Sequence, residues 1–327
     1  MMGRHHARIL QSNAAMRFAG AVDPGGDRFG AVRDAALVFA TIDELLTATG
    51  GAPDFAIIAV PTEEHLRAAR ALATAGVHVL VEKPLAATAD EARELIEVVR
   101  GAGVQGAVGH VERCNPALRA LRTRVQDGLL GDLFVVATER VGPFPDRVRD
   151  VGVVKDLATH DLDLVRWLGG APIERVAAQT QHRMGREHED LVLVTGRLEN
   201  GRAFNSTVDW LTPTKVRRTR VLGERGMLVA DTLRADLSFY ANAHVTTQGW
   251  PAMQALRGVA EGDMTRFALE RREPLAVELE EFCALLRGED GAAVVTLEEG
   301  LETVAVAEAV LASAASGETV ALQPSPS

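Results

Sequence analysis

The feature that most constrains the fold is an alternation of apolar runs with amphipathic segments along the first third of the chain. Strands are predicted at Met16–Asp23, Pro53–Val60, Val77–Lys83 and Val104–Val111, with helical segments between them. Strands that are joined through helices run parallel, because a parallel pair needs a long crossover connection. The pattern predicts an α/β fold that begins with a Rossmann-type, doubly wound parallel sheet.

The rest of the chain has a different pattern, in which short apolar runs follow one another without helices between them. Two of these runs, Leu191–Leu198 and Ala203–Leu211, flank Asn200-Gly201, a dipeptide typical of tight hairpins. Strands this close together pair antiparallel. We therefore predict two domains, with the parallel sheet in residues 1–112 and an α+β domain with an open, mostly antiparallel sheet in residues 113–327.

Composition excludes several classes of protein. The 327 residues carry a formal net charge of −10, which argues against nucleic acid as the main partner, because phosphate binding requires a basic surface. Two cysteines are too few for a disulfide framework, and no apolar run has the length of a membrane span. We expect a cytoplasmic protein that acts on a small molecule.

The segment Val77–Pro84, VHVLVEKP, predicts a buried strand that stops at Glu82, Lys83 and Pro84. Proline ends the pairing, since it has no N–H to donate. Residues at the carboxyl end of a parallel strand point into the crevice where open α/β sheets bind ligands. Lys83 is therefore a candidate ligand-binding residue, although a surface lysine in an ordinary strand-to-loop turn would fit the same pattern.

Asp23 ends the first predicted strand and lies 20 positions after Gly3. In dinucleotide-binding folds, an acid at about this distance from a glycine-rich turn binds the adenine ribose of NAD and disfavours the extra phosphate of NADP. Gly3 stands where the last glycine of GxGxxG would fall. The strand and the two glycines that would precede it are missing from the chain as given, which an internal methionine taken as the start would explain. Asp23 could equally be a turn acid before Pro24.

On the predicted helix Val153–Leu168, Asp156 and His160 are four residues apart and share one face. A neighbouring carboxylate orients an imidazole and tunes its pKa, which suits a general base. Two other interpretations stay open. The residues could form an exposed polar stripe, or His160, Asp156 and Asp161 could hold a divalent metal.

Further polar residues surround these positions. Arg113 and Asn115 follow the predicted strand Val104–Val111, where side chains often line a site. Arg147 and Arg149 lie in a proline-containing loop before the histidine helix, where guanidinium groups could meet anionic groups or sugar hydroxyls. Structural salt bridges would explain either cluster equally well.

Taken together, these motifs resemble those of the glucose–fructose oxidoreductase, inositol dehydrogenase and MocA (Gfo/Idh/MocA) family. The resemblance covers nearly the whole chain and rests on VDP at 22–24, VPTEEH at 60–65, VEKPL at 81–85, GHVERCNP at 109–116 and GVVKDLATHDLD at 152–163. EKP alone is a weak signal, whereas EKP with the spaced Asp–His pair is fairly specific.

Two other segments, at 142–153 and 209–217, look most like the branch of nucleotide-sugar dehydrogenases that includes UDP-N-acetylglucosamine 3-dehydrogenase. The resemblance implies an NAD-dependent oxidoreductase that moves hydride between a secondary hydroxyl of a sugar or nucleotide sugar and nicotinamide. It also implies a homodimer or homotetramer formed through the open sheet of the second domain.

The resemblance assigns roles by position. Lys83 would contact the nicotinamide ribose and a substrate hydroxyl, His160 would be the acid/base, and Asp156 would hold the substrate or His160. The other implied cofactor contacts are Gly3, Asp23, Thr62, His65 and Glu82. The other implied substrate contacts are Arg113, Asn115, Arg147 and Arg149.

Two alternative functions stay open at this point. A non-catalytic nucleotide-binding or sugar-binding relative would account for the missing glycines, although Lys83, Asp156 and His160 speak against it. An NADP-linked sugar or inositol dehydrogenase is the other, and Asp23 disfavours it.

Overall fold

The computed structural model describes residues 2–145, 148, 151–243, 261–289 and 291–322. The chain divides into two compact units. The first unit comprises Met1–Val111 and Leu275–Val304, and the second comprises Glu112–Pro274 and Ala305–Ser327. The predicted second domain, residues 113–327, is thus divided in the structure, because a segment near the carboxyl end folds with the first unit.

The α-helices, in chain order, are α1 (Gly3–Ser12), α2 (Ile42–Ala48), α3 (His65–Thr74), α4 (Ala89–Gly101), α5 (Pro116–Gln126), α6 (Thr159–Gly169), α7 (Pro274–Leu286) and α8 (Leu297–Ser316). A π-helical turn, Val154–Ala158, directly precedes α6. None of the helices in the described ranges is both long and apolar enough to cross a membrane.

The strands are β1 (Ala21–Val22), β2 (Val38–Phe39), β3 (Phe55–Ile58), β4 (His78–Glu82), β5 (Gly106–Gly109), β6 (Leu133–Pro143), β7 (Ile173–Gln181), β8 (Leu191–Leu198), β9 (Ala203–Asp209), β10 (Leu211–Gly223), β11 (Gly226–Asp231), β12 (Asp236–Asn242), β13 (Glu261–Arg266), β14 (Val295–Thr296) and β15 (Val320–Ala321).

The first unit is built on a four-stranded sheet of order β14-β5-β4-β3, in which β3, β4 and β5 run parallel and β14 is antiparallel to β5. Thr88 begins α4 by accepting a hydrogen bond from the backbone N–H of Glu91, as its capping-box sequence predicts. The fully buried ring of Phe282 on α7 packs edge-on against Phe55, with centroids 5.7 Å apart. This contact and the β14–β5 pairing explain why the late segment folds with this unit.

The first predicted strand is much shorter in the structure than the sequence pattern predicts. Of Met16–Asp23, only Ala21–Val22 pairs, and it pairs with the two residues of β2 in a separate parallel sheet. A strand extends only as far as its partner does, so an apolar run without a longer neighbour remains a loop. The parallel direction and the position of Asp23 just after the strand agree with the prediction.

The second unit is a nine-stranded sheet of order β13-β12-β11-β10-β6-β9-β8-β7-β15. Its pairs are antiparallel except for β6 with β9. In β8, Val192 and Val194 are buried whereas Leu193 is 44% exposed, which is the alternation of a sheet covered on one face. Residues of α5, α6 and the later part of α8 form the core on the covered face. The Asn200-Gly201 hairpin between β8 and β9 is confirmed, with Gly201 at a φ of 85°.

Candidate active site

Lys83 lies where β4 leaves the core of the first unit. Val79 and Val81 are 0% exposed and Glu82 is 8% exposed, whereas the Lys83 side chain is partly exposed. The strand is buried because it is central, with β3 on one side and β5 on the other. Lys83 therefore occupies the carboxyl end of a central parallel strand, where ligands of open α/β sheets bind.

Glu82 is anchored inside the first unit by His6 from α1. His6 Nε2 lies 2.6 Å from Glu82 Oε1, and the two residues are 4% and 8% exposed. The other carboxylate oxygen, Oε2, accepts a hydrogen bond of 3.3 Å from the backbone N–H of Lys83. Glu82 stays a predicted cofactor contact, and its buried carboxylate also holds the strand exit.

The beginning of α1 has the features of an anion-binding site. No side chain caps it, its first turn contains no acid, and a Cβ at Gly3 would meet nothing nearer than Ala59 Cβ at 3.9 Å. Backbone N–H groups at such a helix end favour phosphate. Asp23, just after β1, is exposed, and its Oδ1 accepts a hydrogen bond of 2.8 Å from the Gly25 N–H. Gly3 and Asp23 thus fit the pyrophosphate and ribose of a dinucleotide.

Thr62 and His65 follow β3. Thr62 is partly exposed in a 3₁₀ turn, whereas His65 is 1% exposed. The His65 ring nitrogens Nδ1 and Nε2 each lie 3.2 Å from a carbonyl oxygen, those of Leu85 and Val60 respectively. Burial lowers the pKa of His65, although the two carbonyls oppose this. This placement favours a structural role for His65 in joining the loops after β3 and β4.

In the second unit, Asp156 lies in the π-helical turn and His160 lies in the first turn of α6. The Thr159 N–H reaches back five residues to the Val154 carbonyl, so the predicted regular helix is wrong at this point. Asp156 and His160 are partly exposed, whereas Thr159 between them is 1% exposed. π-Turns inside helices are frequent at functional sites, because they displace side chains from the regular spacing.

The start of this π-turn is held by a neighbouring loop. The Glu189 carboxylate accepts a hydrogen bond of 3.0 Å from the Val154 N–H, and the Glu189 carbonyl accepts one of 3.0 Å from the Val153 N–H. A Cβ at Gly152 would lie 2.0 Å from Glu189 Oε1, so a larger residue there would displace this carboxylate from its hydrogen bond. These contacts come from a distant part of the chain, so local periodicity could not reveal the turn.

Asp161, the residue directly after His160, belongs to a buried ion-pair network with Arg140 and Glu112. Arg140 Nε donates to Asp161 Oδ2 at 2.5 Å, and Arg140 Nη1 donates to Glu112 Oε1 at 3.0 Å. Burial would lower the pKa of Arg140, but the two carboxylates raise it above its ordinary value. For Glu112, burial alone would raise the pKa, but Arg140 lowers it below its ordinary value.

The alternative of a metal site finds no support in this arrangement. Asp161, one of its three predicted ligands, is bound to Arg140. Among the residues that the structure describes, no three His, Cys, Asp or Glu side chains form a group that could hold a metal ion.

Family models decide the identity of the chain. The model of the NAD-binding Rossmann fold of the Gfo/Idh/MocA oxidoreductase family matches residues 1–110. The model of the C-terminal alpha/beta domain of the same family matches residues 122–322. This chain belongs to the Gfo/Idh/MocA family. It is an oxidoreductase with a nicotinamide-dinucleotide-binding domain, and the predicted family, fold class and enzyme class are confirmed.

Individual relatives agree with this assignment. UDP-N-acetylglucosamine 3-dehydrogenase of Acidithiobacillus ferrooxidans is 31% identical over 288 residues, which are 86% of this chain and 84% of that protein. A solved structure of that enzyme matches 96% of this chain and 94% of its own chain, with a TM-score of 0.80 and 28% identity.

Two further relatives differ from that enzyme in their names. Inositol 2-dehydrogenase 2 of Saccharopolyspora erythraea is 28% identical over 336 residues, covering 100% of this chain and 94% of that protein. GenD2 from gentamicin A biosynthesis, solved in complex with NAD, is 25% identical, with a TM-score of 0.77 over 99% of this chain and 94% of its own.

Within this Gfo/Idh/MocA chain, two of the predicted substrate contacts form hydrogen bonds inside the second unit. Arg113 donates from Nε and Nη2 to Asp163 at 2.8 and 2.6 Å, and both side chains are buried. Asn115 caps α5 by accepting from the Ala117 N–H at 3.0 Å, and its amide donates to the Thr232 carbonyl at 3.2 Å. These contacts engage the Arg113 guanidinium and the Asn115 side-chain amide, the groups that a substrate would contact. Arg147 and Arg149 lie outside the described residues.

Three buried polar residues of this family member were not predicted from the sequence as functional. His6 and Glu278 lie in the first unit, and Arg140 lies in the second. A signal for Glu278 existed, because it lies three residues after buried Leu275 and four residues before buried Phe282 on α7. His6 likewise lies beside buried Ala7 on amphipathic α1. A polar residue at an apolar position of a helix is the signal to look for.

Proposed function

We propose that this chain is an NAD-dependent dehydrogenase that moves hydride to or from a secondary hydroxyl carbon of a sugar, with a nucleotide sugar as the favoured substrate. The observation that carries the proposal is the partly exposed pair of Asp156 in the π-turn and His160 in the first turn of α6. The similarity to UDP-N-acetylglucosamine 3-dehydrogenase over most of both chains supports the substrate class.

In the proposed chemistry, residues of the chain accept and return the proton of the substrate hydroxyl. His160 accepts the proton of the substrate hydroxyl in the oxidation direction and returns it in the reverse direction. The Asp156 carboxylate orients the imidazole. The Lys83 ammonium holds a ribose or substrate oxygen by a charge-assisted hydrogen bond. When bound, NAD accepts the hydride from the carbon.

NAD rather than NADP is the proposed cofactor. Support comes from Asp23, whose exposed carboxylate follows β1 and would repel the extra phosphate of NADP. The likeness to a chain solved in complex with NAD agrees with this choice.

A second copy of this chain is the proposed partner of the open sheet face in the second unit. Cross-strand pairing aligns a row of apolar side chains on that face: Val135, Leu222, Met227, Tyr240 and Met264. Leu222, Tyr240 and Met264 are 40%, 43% and 58% exposed. Contiguous exposed apolar rows of this kind are typical of protein interfaces, so a homodimer or homotetramer is expected.

The first test is binding followed by turnover. NADH is titrated by fluorescence, and UDP-N-acetylglucosamine, a simple pyranose and myo-inositol are then compared by NAD reduction. The proposal expects NADH binding and the highest kcat/KM for the nucleotide sugar. Preference for myo-inositol would replace the substrate class, and binding of both ligands without turnover would contradict the catalytic role.

The oligomer is tested by light scattering during gel filtration. Leu222→Glu places a charge in the apolar row and is expected to give monomers. Leu233→Glu is the matched control, because Leu233 is 48% exposed but lies outside the row, between β11 and β12. A wild-type monomer, or equal dissociation of both variants, would contradict the assignment of this face.

A further inference from the structure

The carboxylate directly before Lys83 has an unusual environment inside the first unit. The two carboxylate oxygens of Glu82 have different partners: Oε1 lies 2.6 Å from His6 Nε2, and Oε2 accepts a hydrogen bond of 3.3 Å from the Lys83 backbone N–H. Glu82 thereby connects the helix α1 to the peptide from which the Lys83 side chain starts.

A third buried group of the first unit is Glu278 on α7, which interacts electrostatically with Glu82. Glu278 is 6% exposed, and its Oε2 has no hydrogen-bond partner among the described residues. Burial, and secondarily the negative charge of Glu82, raises the pKa of Glu278 well above its ordinary value. His6, not Glu278, is the side chain within hydrogen-bond distance of Glu82 Oε1.

Stability alone is a poor explanation for such a cluster. Buried ion pairs are often neutral or unfavourable compared with apolar residues of the same volume, because both groups lose their hydration. A buried and fully constrained pair does fix geometry, since leaving the pair would expose an unsatisfied polar group to an apolar interior. The geometry fixed here is that of the Lys83 peptide.

We propose that His6 is a positioning residue for the dehydrogenase reaction, which holds Glu82 and through it the main chain of Lys83. This inference rests on the proposed role of Lys83. A lysine whose main chain is held in one place needs to order only its side chain when it meets the cofactor or substrate, and small displacements of catalytic groups cost about 10- to 100-fold in rate.

The test uses the full chain and two replacements of His6. His6→Gln keeps an N–H donor at a similar reach, whereas His6→Leu keeps the bulk and removes the donor. The matched control is His5→Gln, which alters the neighbouring histidine on a side of α1 that is less buried. Unfolding is followed in parallel, so that each rate refers to folded protein.

The direct readout is the NMR signal of the Lys83 side chain. The chain has three lysines, Lys83, Lys155 and Lys215, so ¹³C-lysine labelling gives few signals and Lys83→Arg assigns one of them. His6→Leu is expected to shift the Lys83 signal without cofactor, to weaken NADH binding and to lower kcat about tenfold or more. His6→Gln is expected to restore most of each, and His5→Gln to change none.

The outcomes separate this inference from the proposed function. A folded His6→Leu protein with an unmoved Lys83 signal and wild-type kcat would overturn the inference. If His6→Leu does not fold, Glu82→Gln takes its place, with the same signal shift expected and the same unmoved signal contradicting it. If Lys83→Met retains wild-type turnover, the role of Lys83 in the proposed function fails, whatever the Lys83 signal does in the His6 variants.

Discussion

The two units use the same local device next to their candidate catalytic residues, with different partners. In the first unit the buried acid Glu82 precedes Lys83 and is held by His6; in the second the buried acid Asp161 follows His160 and is held by Arg140. Each acid ties the backbone beside a reactive side chain to a distant element. The anchor in the second unit is a permanent cation, whereas the anchor in the first is a histidine.

The difference between the two units also appears in the pKa directions of two buried glutamates. Glu112, which Arg140 contacts, has a lowered pKa despite its burial. Glu278, which has Glu82 rather than an arginine as its charged neighbour, has a pKa raised by burial first and by that negative charge second. Burial by itself favours the neutral acid, and at Glu112 the Arg140 guanidinium outweighs burial. At Asp161, which the same guanidinium contacts, burial outweighs the guanidinium and the pKa is raised. The comparison teaches that the pKa of a buried acid depends on the balance between its burial and its charged neighbours.

The largest expected effect is the removal of the permanent cation. Arg140→Leu leaves Glu112 and Asp161 buried without their shared guanidinium, and we expect a loss of about 3–5 kcal/mol in the free energy of unfolding. Urea denaturation measures it. Arg218→Leu is the control on the same sheet, because Arg218 is half-exposed and 3.9 Å from Glu139, and it should change the value by about 0.5 kcal/mol or less. Equal losses would break the comparison.

The next effect concerns turnover in the second unit. His160→Ala is expected to lower kcat by about 10²-fold or more while leaving NADH affinity close to that of the wild type, because the imidazole handles the substrate proton. Steady-state kinetics and a fluorescence titration measure the two quantities. His182→Ala, at an exposed histidine of the same unit, should retain full turnover. Near-normal kcat in His160→Ala would remove the residue from the acid/base role.

In the first unit, replacing Asp23 is expected to alter the preference between NAD and NADP rather than kcat. Asp23→Ser removes a negative charge from the end of β1, and we expect the ratio of KM for NADP to KM for NAD to fall about tenfold. The ratio is measured under identical conditions for wild type and variant. Asp27→Ser is an unsuitable control, because its carboxylate binds three backbone N–H groups. Asp34→Ser is preferable, and an equal change there would argue for a general charge effect.

The smallest expected effect is a pH dependence of stability. Folding raises the pKa of Glu278. Below about pH 4 this side chain is therefore protonated in the folded and in the unfolded protein, and its burial does not lower stability by favouring loss of its proton. As the pH rises above about 5, the unfolded chain releases this proton first and wild-type stability falls. Glu278→Gln cannot release it. Thermal unfolding from about pH 5 to pH 8 should therefore show wild type losing stability relative to Glu278→Gln. A parallel pH course for the two proteins would mean that Glu278 is not held neutral.

Sequence patterns located the site residues that depend on local chain direction. Lys83 was placed at the end of a parallel strand from its apolar run and its proline, and the structure has it there. Asp23 follows a short parallel strand as predicted, and Thr88 begins α4. Each of these features is specified by residues within a few positions, so the sequence contains the complete signal.

The predictions that the structure altered concern partners far away along the chain. Arg113 pairs with an aspartate 50 positions later, and His65 contacts a carbonyl 20 positions later. An arginine or histidine near a strand exit has the same sequence signal whether it meets a substrate or a buried acid. Burial and pairing distinguish these cases, and they are properties of the folded chain.

The sequence by itself determined the fold class, the family and the order of the chemical groups, because periodicity and short motifs record which residues face a core and where strands end. Only the tertiary structure decided which polar groups are held inside. The pairs His6–Glu82 and Arg140–Asp161 and the burial of Glu278 arise from elements that are distant in the chain. The physical reason is that electrostatic interactions depend on distance and burial in space, which one-dimensional spacing does not encode.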